Sequence, residues 1–221
     1  PERWVVSTAP IRRSGEGPAF YWPQVGDPNP TPGTHPIYSG ARHVWRTLAF
    51  GGGTATTTGP QPTTPNIAAM EANCPEFVVG STTLGCGDYR PMGGPYCDAV
   101  ASTPFPSCLN LEGDLAGTFY GADRGGLVVS WVARSGSDHG TLWAATGAGR
   151  IFVTHNADAS DPSTITWHRI DNPSSPTRYP SGIYVDPANP NHAWISYSGY
   201  NAVTPTTPGH VFSVTEGPAN L

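Results

Sequence analysis

The chain contains no lysine: all 11 of its basic residues are arginine. A Schiff-base lysine, a P-loop lysine and a Ser–Lys catalytic pair are excluded together. Charge of either sign is scarce, at 12% of residues against the usual quarter. Sixteen acidic residues outnumber the arginines and leave a net charge of −5. That balance argues against a general nucleic-acid binder, which needs a basic face for phosphates, and against a polybasic membrane anchor. Long apolar runs are missing as well. The longest, Leu127 to Ala133, is strand-sized and far short of a membrane span. Helix-length periodicity is absent because 27 glycines and 25 prolines interrupt almost every candidate window.

Aromatic surface, by contrast, is plentiful. Seven Trp, nine Tyr and seven Phe supply large apolar area to bury, and so oppose the disorder that so much Gly and Pro would otherwise suggest. The composition predicts a β-rich, loop-rich protein of one large or two small domains. Cys74, Cys86, Cys97 and Cys108 fall in one stretch and nowhere else. An even count in a lysine-free, Pro/Thr/Gly-rich chain predicts two disulfides and a secreted or cell-surface location. Of the three pairings, Cys74–Cys86 with Cys97–Cys108 is preferred, because short loops close most easily. A zinc site is disfavoured by the lack of any Cys-x-x-Cys pair. Thr54–Pro65 reads as a solvated loop able to carry O-linked sugars.

Self-similarity is the most informative signal. Three segments read as strand, glycine-bearing turn, strand: His35 to Thr47, Thr141 to Thr154, and His192 to Thr215 with a Pro/Thr loop inside it. The second strand of each opens on a basic residue, a β-branched aliphatic and an aromatic: His43-Val44-Trp45, Arg150-Ile151-Phe152 and His210-Val211-Phe212. An Asp-Pro turn closed by a second proline precedes two of the units, as Asp27-Pro-Asn-Pro30 and Asp186-Pro-Ala-Asn-Pro190. In the clearest unit Gly126–Arg134, Thr141–Thr146, Arg150–Thr154 and Thr164–Ile170 form four successive strands over about 45–50 residues, the period of a β-propeller blade. The expectation is therefore an all-β propeller segment of about two and a half four-stranded antiparallel blades, an incomplete ring given that propellers close with about four to eight. Residues 1–18 are the end of a preceding blade or a linker, 19–95 a blade carrying the Thr/Pro/Cys insertion, and 96–123 a disulfide-bearing loop. Residues 124–171 are a blade and 180–221 a partial blade. Such a segment needs the remainder of the same propeller, or other copies of the chain, to cover its end faces.

Thr154-His-Asn-Ala-Asp158 followed by Thr164-Ile-Thr-Trp167 resembles a lengthened Asp-box, the turn between the third and fourth strands of sialidase-type blades. Ser181 to Trp194 resembles the strand linker of sortilin-type, xyloglucanase-type and bacterial Asp-box propellers. The likeness covers most of residues 19–221 and points to secreted bacterial Asp-box (BNR-repeat) proteins. It implies structural roles for Asp158 in the turn and Trp167 between sheets.

No active site is complete. The Arg-Ile-Pro signature of sialidases is missing, and Arg42, Arg46 and Arg150 read as repeat-position residues snorkelling at strand ends. A glycoside hydrolase needs two carboxylates flanking a sugar, and the candidates are Glu112, Asp114 and Asp123 before an inner strand. Asp27 and Asp186 read as turn residues. A calcium loop from Asp114 to Asp123 is conceivable without EF-hand-like alternation to support it, so no cofactor is expected. The seven histidines form no metal-binding or metalloprotease motif, and neither a Gly-x-Ser-x-Gly elbow nor a nucleotide loop is present. Trp45, Trp143, Trp167 and Trp194 read as inter-blade core. The functional expectation is extracellular binding or assembly, of glycan or protein, with part of a glycoside hydrolase as the alternative.

Overall fold

The computed structural model describes residues 8–17, 19–32, 34–48, 51, 87–95, 108–199, 206 and 208–217. Among them the chain is all-β: one short helix, α1 (Ala9–Arg13), and 11 strands in three antiparallel sheets. The first sheet runs β1 (Gln24–Gly26), β2 (Ile37–Gly40), β3 (Val44–Thr47) and β4 (Arg90–Pro91). The second runs β5 (Val129–Arg134), β6 (Leu142–Thr146), β7 (Ile151–Thr154) and β8 (His168–Arg169). The third holds β9 (Pro180–Asp186), β10 (Asn189–Tyr197) and β11 (Val211–Thr215). Every strand pairs with its neighbour in the chain, so each sheet is a meander. Turn chemistry explains the reversals. Gly149, between β6 and β7, has φ +93°, and a side chain there would press on the Pro176 carbonyl. Asp27 and Asp186 each accept the backbone N–H two residues on, at 2.9 Å, the Asx geometry that opens a turn.

The sheets stack face to face. Alternation along β6 and β7 sends Leu142, Ala144 and Phe152 toward the first sheet, where they meet Tyr38 and Val44. Trp143, Ala145, Ile151 and Val153 point the other way, onto Ile183, Ala193 and Ile195 of the third sheet. The middle sheet is thus buried on both faces, which is why β6 and β7 are buried along their whole length and apolar up to a closing threonine, rather than alternating. On its far side the first sheet buries Trp45 and Tyr89 beneath Ile11 of α1.

The registers make the three sheets superposable residue by residue. In β2, β6 and β10 the positions of Tyr38, Trp143 and Trp194 correspond, lying opposite Arg46, Val153 and Ser213. On the third strands Val44, Ile151 and Val211 correspond in the same way. Tyr38 and Trp143 are buried by the sheet that follows, whereas Trp194 is 37% exposed on the outer face of the third sheet. Only His168 and Arg169 of the expected strand Thr164–Ile170 pair with β7, because a 3₁₀ turn at Pro162–Thr164 redirects the chain before them.

Candidate functional site

Arg150 organises the segment that carries the candidate carboxylates. It sits fully buried at the start of β7. Its guanidinium donates to the carbonyls of Leu115 (3.0 Å), Gly117 (2.6 Å), Gly121 (2.7 Å) and Asp123 (3.0 and 2.6 Å). The loop before β5 is in effect folded around one side chain. Burial pushes that guanidinium down from its ordinary value, and neighbouring Arg169 adds to the effect. Arg46 is buried too and donates to the carbonyls of Ala157 and Ala159 in the turn between β7 and β8. These arginines do not snorkel. They bridge elements, because one planar fork can satisfy several carbonyls at once.

Within this loop the three carboxylates go separate ways. Asp114 is fully buried and accepts from Arg42 Nη2 at 2.6 Å and the Asn110 amide at 2.9 Å. Asp123 lies at the surface in a two-pronged pair with Arg169, at 2.8 and 2.7 Å. Hydrogen bonds from Arg169 hold its carboxyl far below the usual range, so it carries no proton to give as a general acid. Glu112 is half-buried, and the Tyr120 hydroxyl donates to its backbone carbonyl at 2.7 Å. Arginine pairing also leaves Asp114 and Asp123 poorly suited to calcium. Among the described residues no group of three or more His, Cys, Asp or Glu side chains is placed to hold a metal. Gly113 in the same loop lies against Gly93, where an added Cβ would stand 1.9 Å from the Gly93 oxygen.

In the turn between β7 and β8 the stapling residue is Asn156. Its Oδ1 accepts from Thr154 Oγ1 (2.9 Å) and the Thr166 amide (3.2 Å), and its Nδ2 donates to the Thr164 carbonyl (3.1 Å). Asp158 is exposed, with its charge near Arg46. Trp167 is buried between the first two sheets and donates its indole N–H to the Met92 carbonyl at 2.9 Å. Cys108 is buried and is not a free thiol. Cys74, Cys86 and Cys97, and the segment Thr54–Pro65, lie outside the described residues.

One cluster has no signature in the sequence. Glu16, just after α1, is buried in the turn between β2 and β3. Its Oε2 accepts from the backbone amides of Arg42 (2.9 Å) and His43 (3.0 Å) and from Trp45 Nε1 (3.2 Å), while Oε1 lies 2.7 Å from His43 Nδ1. Burial works to raise the carboxyl's pKa, but the His43 imidazole and the hydrogen bonds from His43 and Trp45 outweigh it, and the net shift is downward. A depressed folded pKa stabilises fully above the unfolded value and is lost as pH falls through the folded one. Trp45 fluorescence, followed from about pH 6 to about pH 3, is therefore expected to report loosening of α1 below the ordinary carboxylate range. Glu16→Gln places an NH₂ among donors and is expected to cost about 1–3 kcal/mol and remove that acid step. An unchanged acid transition in the variant would assign the step elsewhere.

The first strands of all three sheets come together along a groove of about 430 Å³. Trp131 of β5 and Tyr184 of β9, 40% and 62% exposed, stand on it with Val25 of β1 and prolines 23, 28 and 187 around them. Arg134 also lines it, and is paired with Asp27 at 3.1 Å. Trp131 escaped notice in the sequence because it sits inside an apolar run that reads as core. No family model matches the chain, and neither a curated protein nor a solved structure is significantly similar to it.

Proposed function

We propose that the chain is a segment of a secreted β-propeller protein that acts by extracellular recognition rather than catalysis, with the groove along β1, β5 and β9 as its binding face. The observation that carries this reading is the groove itself: two exposed aromatic rings from adjacent sheets above a charge pair that is already satisfied. Such a surface favours a neutral ligand with apolar faces, and a glycan's pyranose rings stack on aromatics of this kind. The stacked meanders of equal register, with their first strands side by side, support the propeller arrangement. The arginine pairing of Asp114 and Asp123 weighs against a glycosidase pair in this segment.

Binding to a panel of neutral oligosaccharides, followed by calorimetry, tests the proposal. Trp131→Ala is expected to weaken binding about tenfold or more while leaving the melting temperature nearly unchanged. Absence of glycan binding, or binding indifferent to Trp131, would overturn it. Turnover of aryl glycosides that disappears in Glu112→Gln would replace it with the hydrolase reading.

A further inference from the structure

Asp186, His192 and Ser213 meet on one face of the third sheet. Asp186 closes β9, His192 lies in the first half of β10, and Ser213 is at the middle of β11. Ile183, Val185, Ala193 and Ile195 face the second sheet with Phe212 and Val214 packed beside them, so the residues between them point to the other side. No local motif marks the group, because His192 stands six residues from Asp186 and 21 from Ser213.

The hydrogen bonds run in one order. Asp186 Oδ1 accepts the Ala188 amide at 2.9 Å, which fixes the carboxylate in its turn. Its Oδ2 lies 2.9 Å from His192 Nδ1. A carboxylate only accepts, so Nδ1 carries the proton and the neutral imidazole keeps its lone pair on Nε2. Bonds from His192 and from the Ala188 amide hold the Asp186 carboxyl below its ordinary range, in that accepting form. Nε2 lies 2.8 Å from Ser213 Oγ, which donates its hydroxyl hydrogen to the lone pair. The Trp194 ring meets the imidazole edge to face, 4.4 Å between centroids, and limits its rotation. Hydroxyl to Nε2 and Nδ1 to carboxylate is the order that general-base activation of a serine requires. The repeat does not account for it. The register positions of His192 and Ser213 hold Pro36 and Arg46 in the first sheet, and Thr141 and Val153 in the second.

Ser213 is exposed, and the side chains of Asp186 and His192 keep 23% and 16% of their surface. Trp194 lies directly opposite Ser213 in the register, with Tyr184 beside it at 5.9 Å between ring centroids. Ser196, Val211 and Thr215 share the face and bring no charge. These surroundings suit a neutral substrate with an apolar group to lay against the two rings.

We propose that Asp186, His192 and Ser213 form a catalytic triad that hydrolyses neutral carboxylic esters. Ser213 Oγ bonds to the ester carbonyl carbon as its proton passes to His192 Nε2. The bond from that carbon to the alcohol oxygen then breaks, and the departing oxygen takes the proton. Water attacks the acyl-serine and gives a proton to His192, which returns it to Ser213 Oγ as the acid leaves. Asp186 is a positioning residue: it holds the tautomer and offsets the charge of the imidazolium. All three side chains belong to one sheet, the chemistry uses no unpaired strand edge, and none of them lines the groove along β1, β5 and β9.

Two probes test the triad on the 221-residue chain: turnover of p-nitrophenyl butyrate, and labelling by a fluorophosphonate followed by peptide mapping. Release of p-nitrophenol above the buffer rate and a label on Ser213 are expected. Ser213→Ala is expected to abolish both, and His192→Gln to slow both about a hundredfold or more. Asp186→Asn keeps the bond from the Ala188 amide and with it the turn, and is expected to lose as much activity with the melting transition retained. Absence of turnover, or a label that avoids Ser213, overturns the proposal. So does turnover that survives Ser213→Ala, which would assign the hydrolysis to a surface histidine, or an Asp186→Asn variant as active as the parent.

Discussion

Trp143→Ala is expected to cost about 3–5 kcal/mol, whereas Trp194→Ala, at the same place in the register, is expected to cost about 1 kcal/mol or less. Trp143 is fully buried between the second and third sheets, and its indole N–H donates to the Pro190 carbonyl at 2.9 Å. Truncation opens a large cavity and orphans that carbonyl. Trp194 keeps 37% of its surface exposed, and its ring stands beside those of Tyr184 and His192 on the outer face of the third sheet. Urea denaturation of the two variants side by side measures the difference. Equal losses would mean that the two positions are not distinguished by a covering sheet, and would remove the stacking order described above.

Arg150→Met is expected to destabilise the chain by about 3–5 kcal/mol, since the carbonyls of Leu115, Gly117, Gly121 and Asp123 lose their shared donor in a dry interior. Arg150→Lys is expected to recover only part of that. An ammonium keeps the charge but has three donors where the guanidinium makes five bonds, and it lacks the planar fork. Thermal unfolding gives the ranking, and hydrogen exchange over residues 113–126 gives the location. A lysine variant as stable as the parent would show that charge alone, rather than the fork, holds the loop.

The all-β character was legible because it rests on local signals. Strand-sized apolar segments, glycine at the turns and Asp-Pro at Asp27 and Asp186 each act within a few residues. The repeat drew attention to the strand pairs now seen as β2–β3, β6–β7 and β10–β11. The site was far less legible. Glu16 meets His43 across 27 residues, and Arg150 meets Leu115 across 35, and no spacing rule links residues that far apart. In the β7–β8 turn the eye goes to Asp158, the acidic residue, yet Asn156 does the stapling, since its amide both accepts and donates where a carboxylate can only accept. Trp131 shows the opposite difficulty: one residue of an apolar run faces outward, and only the register reveals which.

α1 has a consequence for the molecule as a whole. With Ile11 seated over Trp45 and Tyr89, and Glu16 locked into the β2–β3 turn, the outward side of the first sheet is closed. Among the described residues the outer face of the third sheet carries no comparable cover, and Trp194 is 37% exposed on it. A change to the unit beneath α1 must therefore first dismantle a buried carboxylate and its four partners, whereas a change on the outer face of the third sheet meets no such lock.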